Sequence, residues 1–195
     1  MDKPRSGTKA PPSDRRVRKT KAILRQSLSQ LLMQKSLKDI TVSELAELAD
    51  VNRGTFYLHY KDVYDLFEQM ESDIYEHFKN ILEKQKKIQI KWYPLLLDIF
   101  RYIHDNAETI RAILQTPEST VLSRIIEQNR PQGRDEWVQL LGDKSEPACE
   151  YYYSFIVSGC VAVIRRWLTE GMAEPPESVA AFTERMMVSC IRGLS

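Results

Sequence analysis

Between Asn52 and Tyr60 the chain gathers Arg53, Thr55, Tyr57 and His59, a dense group of hydrogen-bond donors for so short a stretch. Their chemistry is recognition of a polyanion. Arg53 can meet a guanine edge with two parallel bonds, an arrangement that discriminates between bases by ~1–3 kcal/mol, or it can simply touch phosphate. Gly54 lets the backbone approach a groove, unless it is only a neutral early-helix residue. Thr55 offers a hydroxyl to a base and a methyl to thymine. Tyr57 and His59 suit phosphate oxygens, which set register rather than sequence. Upstream, Thr41 can cap a helix and touch phosphate, and Ser43 reaches a base or phosphate or is an exposed helix-start residue. Lys61 can neutralise a flanking phosphate. Phe56 and Tyr60 are expected to face inward and hold the segment down.

Two short helices broken at Asp50-Val51 would position these side chains. The first carries Val42, Leu45, Ala46 and Ala49 at helical spacing, a small apolar face. The second opens at Asn52, whose side chain can accept a bond from an unpaired backbone N–H one turn on. Small buried faces let two helices cross closely while the donor-rich face meets a duplex, the arrangement of a helix-turn-helix DNA reader. A helix from Ser13 or Asp14 to about Lys35 precedes them, with Val17, Leu24, Leu28 and Leu31 as its stripe and Ile23 and Leu32 beside it. Leu37 and Ile40 pack the turn. The basic arm around Arg15, Arg16 and Arg18 either follows the DNA backbone, dips into the minor groove, or attracts nucleic acid without specificity.

Charge follows the same division. Residues 1–61 hold 13 Lys/Arg against 6 Asp/Glu, net +7, whereas 62–195 hold 15 against 21, net −6. A basic end on a near-neutral chain argues for nucleic acid better than the overall balance does. With 195 residues, 43% of them hydrophobic, the chain can bury a substantial core. No apolar run reaches the ~18–20 residues of a membrane span. The N-terminus has no apolar signal core, so a cytoplasmic protein without membrane attachment is expected. Cys149, Cys160 and Cys190 form no C-x-x-C and read as reduced core residues. His59, His77 and His104 are isolated, so no metal site and no cofactor is expected. There is no nucleophile–base pattern and no phosphate-binding glycine loop, and an enzyme is not expected.

Past Asp62, a further N-cap with Asp65 in the first turn, Val63, Leu66, Phe67, Met70, Ile74, Phe78 and Ile81 step by threes and fours. They predict a helix of roughly five turns, followed by a polar break at Lys84–Lys91. Pro94 suits the first turn of the next helix, which runs to His104. Asn106 is read as capping a short helix to Leu114. Val121, Leu122, Ile125 and Ile126 give another, Asn129–Arg134 a loop and Trp137–Leu141 a short helix. Two long helices close the chain, about Pro147–Glu170, ended by Gly171, and about Pro176–Arg192. No alternating strand pattern is present. The fold class is all-α with about nine helices.

The run Thr41-Val-x-x-Leu-Ala-x-x-Ala-x-Val-Asn-Arg-Gly-Thr-Phe-Tyr-x-His-Tyr-Lys61, followed by the long helix, resembles the TetR family of one-component transcriptional regulators over about residues 15–80. Tyr102-Ile-His-Asp-Asn and Tyr151-Tyr-Tyr-Ser-Phe-Ile-Val-Ser-Gly-Cys-Val-Ala-Val-Ile-Arg-Arg-Trp167 are similar to a regulatory-domain subtype of Gram-positive bacteria. Two positions depart from the family pattern. Asp50 stands where the inter-helix turn usually has Gly, and Asp tolerates left-handed backbone angles better than most residues. Near Val63 many relatives place a phosphate-binding Lys, so Lys61 would serve alone.

Rich in Pro, Gly, Ser, Thr and Lys/Arg, residues 1–13 read as a disordered basic arm, followed by a three-helix helix-turn-helix domain at 14–64 and a helical regulatory and dimerisation domain at 65–195. The resemblance implies a small-molecule pocket among the middle helices, with Trp92, Phe100, Tyr102, Ile126, Trp137, Tyr151 and Tyr152 as candidate lining for a small apolar or aromatic effector. The residues themselves show only aromatic, apolar helices, which plain core would also contain. The long helix from Asp62 would link pocket to reading head. One short reading helix covers few bases, so a homodimer on a palindromic site in double-stranded DNA is expected. Ser154, Ser158, Gly159 and Ala162, with Ala180 and Ala181, give the last two helices small faces for that interface. Phe155, Ile156, Val163, Phe182, Met186 and Met187 add apolar area; the same face could instead be an internal two-helix core. The function expected is a dimeric repressor released by a small effector. The alternative is an activator or co-activator controlled by a protein partner.

Overall fold

The computed structural model describes residues 12–86, 91–131 and 146–192. Among them are nine α-helices and no strand: α1 (Pro12–Leu32), α2 (Val42–Leu48), α3 (Arg53–Tyr57), α4 (Val63–Lys86), α5 (Trp92–Asp105), α6 (Ala107–Gln115), α7 (Val121–Gln128), α8 (Glu146–Thr169) and α9 (Pro176–Arg192). A 3-10 turn at Leu37–Asp39 joins α1 to α2. Of the expected arm at 1–13, residues 1–11 lie outside the described residues and Pro12 and Ser13 already belong to α1; the expected Trp137–Leu141 helix also lies outside them. The chain divides into two compact units, one reaching Met70 and one beginning at Glu71, so the division falls within α4.

The first unit closes on Leu24 and Leu28 of α1, Leu45 and Ala46 of α2, Phe56 of α3 and Leu66 of α4, each nearly or wholly removed from solvent. Val17, expected in the α1 stripe, is instead exposed, because the buried part of α1 begins about two turns later, at Leu24. Lys35 and Glu44 form an ion pair at 2.6 Å that ties the end of α1 to α2. The α2–α3 turn passes through Asp50 at φ 51°, the left-handed conformation usually left to glycine.

In the second unit α5 packs along α9, where Glu184 Oε1 accepts the Tyr93 backbone N–H at 3.1 Å and so caps the start of α5. Arg101 of α5 pairs with Glu177 of α9 at 2.8 Å. Arg111 of α6 donates to the Leu168 carbonyl of α8 at 2.7 Å. Helix α4 is longer than the five turns expected, at 24 residues. It takes in Lys84, Gln85 and Lys86, the first residues of the expected polar break, since Lys and Gln are good helix formers. Asn106, expected to cap α6, gives its side-chain N–H to the Tyr102 carbonyl at 2.9 Å and terminates α5 instead. Helix α8 does stop at Gly171 (φ 79°), with Met172 N–H returning to the Trp167 carbonyl at 2.9 Å.

Candidate nucleic-acid interface and effector cavity

The α3 segment is built by capping and by two anchors. Asn52 Oδ1 accepts the Gly54 N–H at 2.8 Å, and Thr41 Oγ1 accepts the Glu44 N–H at 3.2 Å, so α3 and α2 both start on side-chain caps. A helix of five residues has little intrinsic stability. It is held because Phe56 and Tyr60 are buried one turn apart, their rings 5.7 Å apart, with Lys21 Nζ over the Tyr60 ring at 5.6 Å. With those two side chains inside, Asn52, Arg53, Gly54 and Tyr57 are left on the exposed side, Tyr57 at 58%. Thr55 and His59 are half-buried, as is Ser43, while Thr41 and Lys61 are exposed.

Lys61 is positioned through its backbone: its N–H donates to Asp65 Oδ2 at 2.8 Å, and Gln69 Nε2 donates to the other Asp65 oxygen at 3.0 Å. The hydrogen bond from Lys61, joined by that from Gln69, holds the Asp65 carboxyl below its ordinary value. Asp62 Oδ1 accepts the Asp65 N–H at 2.8 Å and caps α4. Leu58, absent from the sequence-based set, is 79% exposed beside Tyr57. An exposed leucine offers apolar contact rather than a hydrogen bond, and composition alone carries no signal for it.

The second unit encloses a cavity of about 450 Å³, within the ~300–1,000 Å³ typical of small-molecule sites. Six helices contribute walls, among them Phe78 of α4, Leu96 of α5, Ile113 of α6, Ile126 of α7, Val157 of α8 and Met187 of α9. Of the candidate lining residues, Trp92 and Ile126 face this space. Phe100 is wholly buried and meets Trp167 edge-on at 5.3 Å. Tyr102 stacks on His77 at 3.7 Å. Tyr151 is 78% exposed, Tyr152 packs against Cys149, and Trp137 lies outside the described residues. Burial pushes the thiol of Cys160, a wall residue, up to about 11. No group of His, Cys, Asp and Glu among the described residues could hold a metal ion.

One wall is fastened by a buried carboxylate. Glu71 Oε1 accepts from Ser119 Oγ at 2.7 Å, Thr120 N–H at 2.8 Å and Val121 N–H at 3.0 Å. Those groups begin α7, so a side chain of α4 supplies the cap that Thr120 does not.

Two family models match the chain. Residues 26–70 match the model for bacterial regulatory proteins of the tetR family, and residues 90–189 match a transcriptional regulator C-terminal region of the same family. The chain belongs to the TetR family. It is 36% identical over 55 residues to the uncharacterized HTH-type transcriptional regulator YxbF of Bacillus subtilis, across 28% of this chain and 14% of that one. It is 28% identical over 115 residues to the probable HTH-type transcriptional regulator YttP of the same organism, across 55% of this chain and 56% of that one. The chain thus spans little more than half of YttP and a seventh of YxbF. Among solved structures, the SmeT–triclosan complex superimposes with TM-score 0.62 at 12% identity, covering 87% of this chain and 90% of that one. At that identity the likeness is one of fold. Members of this TetR family are regulators rather than enzymes, and no helix among the described residues is long and apolar enough to cross a membrane.

Proposed function

We propose that this TetR-family chain is a dimeric transcriptional repressor that reads a palindromic operator with α3 and is released by a small molecule in the second-unit cavity. The observation that carries the reading is the division of α3 and its flank: Phe56 and Tyr60 buried, Arg53, Gly54, Tyr57 and Lys61 in solvent. In this reading Arg53 and Thr55 meet base edges, Tyr57, His59, Thr41, Ser43 and Lys61 hold phosphates, and Asn52 and Gly54 let the α3 backbone approach the groove.

Dimerisation is supported by an unpartnered stripe. Tyr151, Ser154, Phe155, Ser158, Gly159 and Ala162 are all exposed along α8, and Phe182 and Met186 are exposed on α9. A Cβ built on Gly159 meets nothing within 4 Å, so that side of α8 is open to a second copy. Release by an effector is supported by the cavity, and SmeT, of the same fold, is known in complex with triclosan. An effector acts only by binding one conformational state better than the other.

The test is fluorescence anisotropy of the chain on the DNA upstream of its own gene. Affinity should fall steeply with salt. Arg53→Ala should cost about 1–3 kcal/mol on that site and much less on random duplex. Equal loss on both duplexes, or no preference in the unaltered chain, would overturn specific reading. In vitro transcription from the same DNA decides the sign, repression being the expected result.

A further inference from the structure

The cavity has a chemical bias that narrows its occupant, an inference that rests on the effector reading above. Its walls are mostly isoleucine, leucine and valine, with few aromatic rings. The polar groups that reach it are largely engaged already. Tyr153 Oη donates to the Ile126 carbonyl at 3.0 Å, and Asn129 Nδ2 donates to the Ile125 carbonyl at 2.8 Å. The Cys160 thiol lies 3.5 Å from the Met187 sulfur. Arg165 is the one charged side chain among the described wall residues. It is exposed, and its Nη1 makes a long 3.4 Å bond to the Leu114 carbonyl. Among the described residues no ion pair engages it, and its other guanidinium donors have no partner there.

This pattern excludes several ligand classes. A cation would find no carboxylate on the described walls, and a sugar or nucleotide would leave its hydroxyls without partners, at ~1–3 kcal/mol for each buried one. A flat aromatic compound would meet few rings to stack on. A flexible hydrocarbon chain conforms to aliphatic walls, and an anionic end can reach a guanidinium at the edge with two parallel bonds.

We propose that the cavity binds a single-chain aliphatic carboxylate, its tail among the isoleucine and leucine side chains and its head on Arg165. The test titrates the full chain, free of DNA, with sodium dodecanoate, dodecyltrimethylammonium and dodecanol, each below its micelle threshold, by calorimetry. Dodecanoate should bind at least about tenfold more tightly than the ammonium compound, the size of one charge-assisted contact. Arg165→Gln should lower dodecanoate affinity by about tenfold while leaving dodecanol within about twofold, and Arg165→Lys should recover part of the loss. Val157→Trp, which fills the cavity, should abolish binding of all three; should that variant fail to fold, the Arg165 series still decides. Equal binding of carboxylate and ammonium, indifference to Arg165→Gln, or no saturable binding overturns the proposal. A parallel gel shift separates the two readings. Dodecanoate bound without operator release upholds the ligand class and sinks the release mechanism. No binding, with operator recognition intact, sinks the ligand class alone.

Discussion

The hydroxyl of Tyr60 is buried with no hydrogen-bond partner among the described residues, while its ring packs on Phe56 beneath Lys21. A buried, unpaired hydroxyl costs ~1–3 kcal/mol, so Tyr60→Phe should stabilise the chain by about 1 kcal/mol and leave operator affinity unchanged. Urea unfolding and anisotropy on the same preparation read both. If stability instead falls, the hydroxyl has a partner. Asp65 gives a pH prediction at this scale. Its folded carboxyl sits below the ordinary 3.8, first through the Lys61 N–H and then through Gln69. A group depressed on folding contributes fully above its ordinary value, and the contribution is lost as pH falls through the folded value. The melting temperature should therefore drop as the pH falls below about 4, and less so in Asp65→Asn. The effect should be small, because the group is solvent-exposed.

Among elements, the joint between α4 and α7 concentrates the most risk. Three donors converge on one buried oxygen of Glu71, and Val121, the first residue of α7, is itself a cavity wall. Glu71→Ala strands the Ser119 hydroxyl and two backbone N–H groups at the start of α7, at an expected cost of about 2–4 kcal/mol. Chemical denaturation measures that, and hydrogen exchange at residues 121–124 should show faster opening of α7 than of α5. The α8 stripe offers a test in which two effects have opposite sign. On a free helix surface Gly159→Ala adds ~0.5–1 kcal/mol of helix stability. Against a closely packed second copy the added methyl obstructs approach instead. Sedimentation equilibrium should find weaker self-association in Gly159→Ala, although the helix is intrinsically better. Unchanged association would remove Gly159 from the interface.

At the scale of the molecule, net charge of opposite sign is assigned to different parts of the chain. The net +7 lies within residues 1–61 and the net −6 beyond them. The part that would meet phosphate is attracted to it, and the remainder is repelled, which favours one mode of approach to DNA. The exposed apolar side chains Tyr151 and Phe155 of α8 and Phe182 and Met186 of α9 lie in the acidic part. A two-fold pair doubles the base contacts available to a five-residue helix, and this is why specificity is expected of the dimer rather than of one chain.

Features that depend on neighbours in the chain were readable from the residues themselves. Asn52 and Asp62 each cap within three residues, Asp50 takes the left-handed turn, and Phe56 and Tyr60 turn inward four apart. Capping, handedness and helical period are set by short-range sterics and hydrogen bonds, which leave their mark on adjacent positions. The cavity wall leaves none. Phe100 and Tyr102 are aromatic and helical like Trp92, yet one packs on Trp167 and the other on His77, while Trp92 lines the space. Nothing local marks Arg165 as the charge at its edge or Glu71 as the clasp on α7. Those assignments came from six helices packing side by side, where a void forms only because distant side chains stop short of one another.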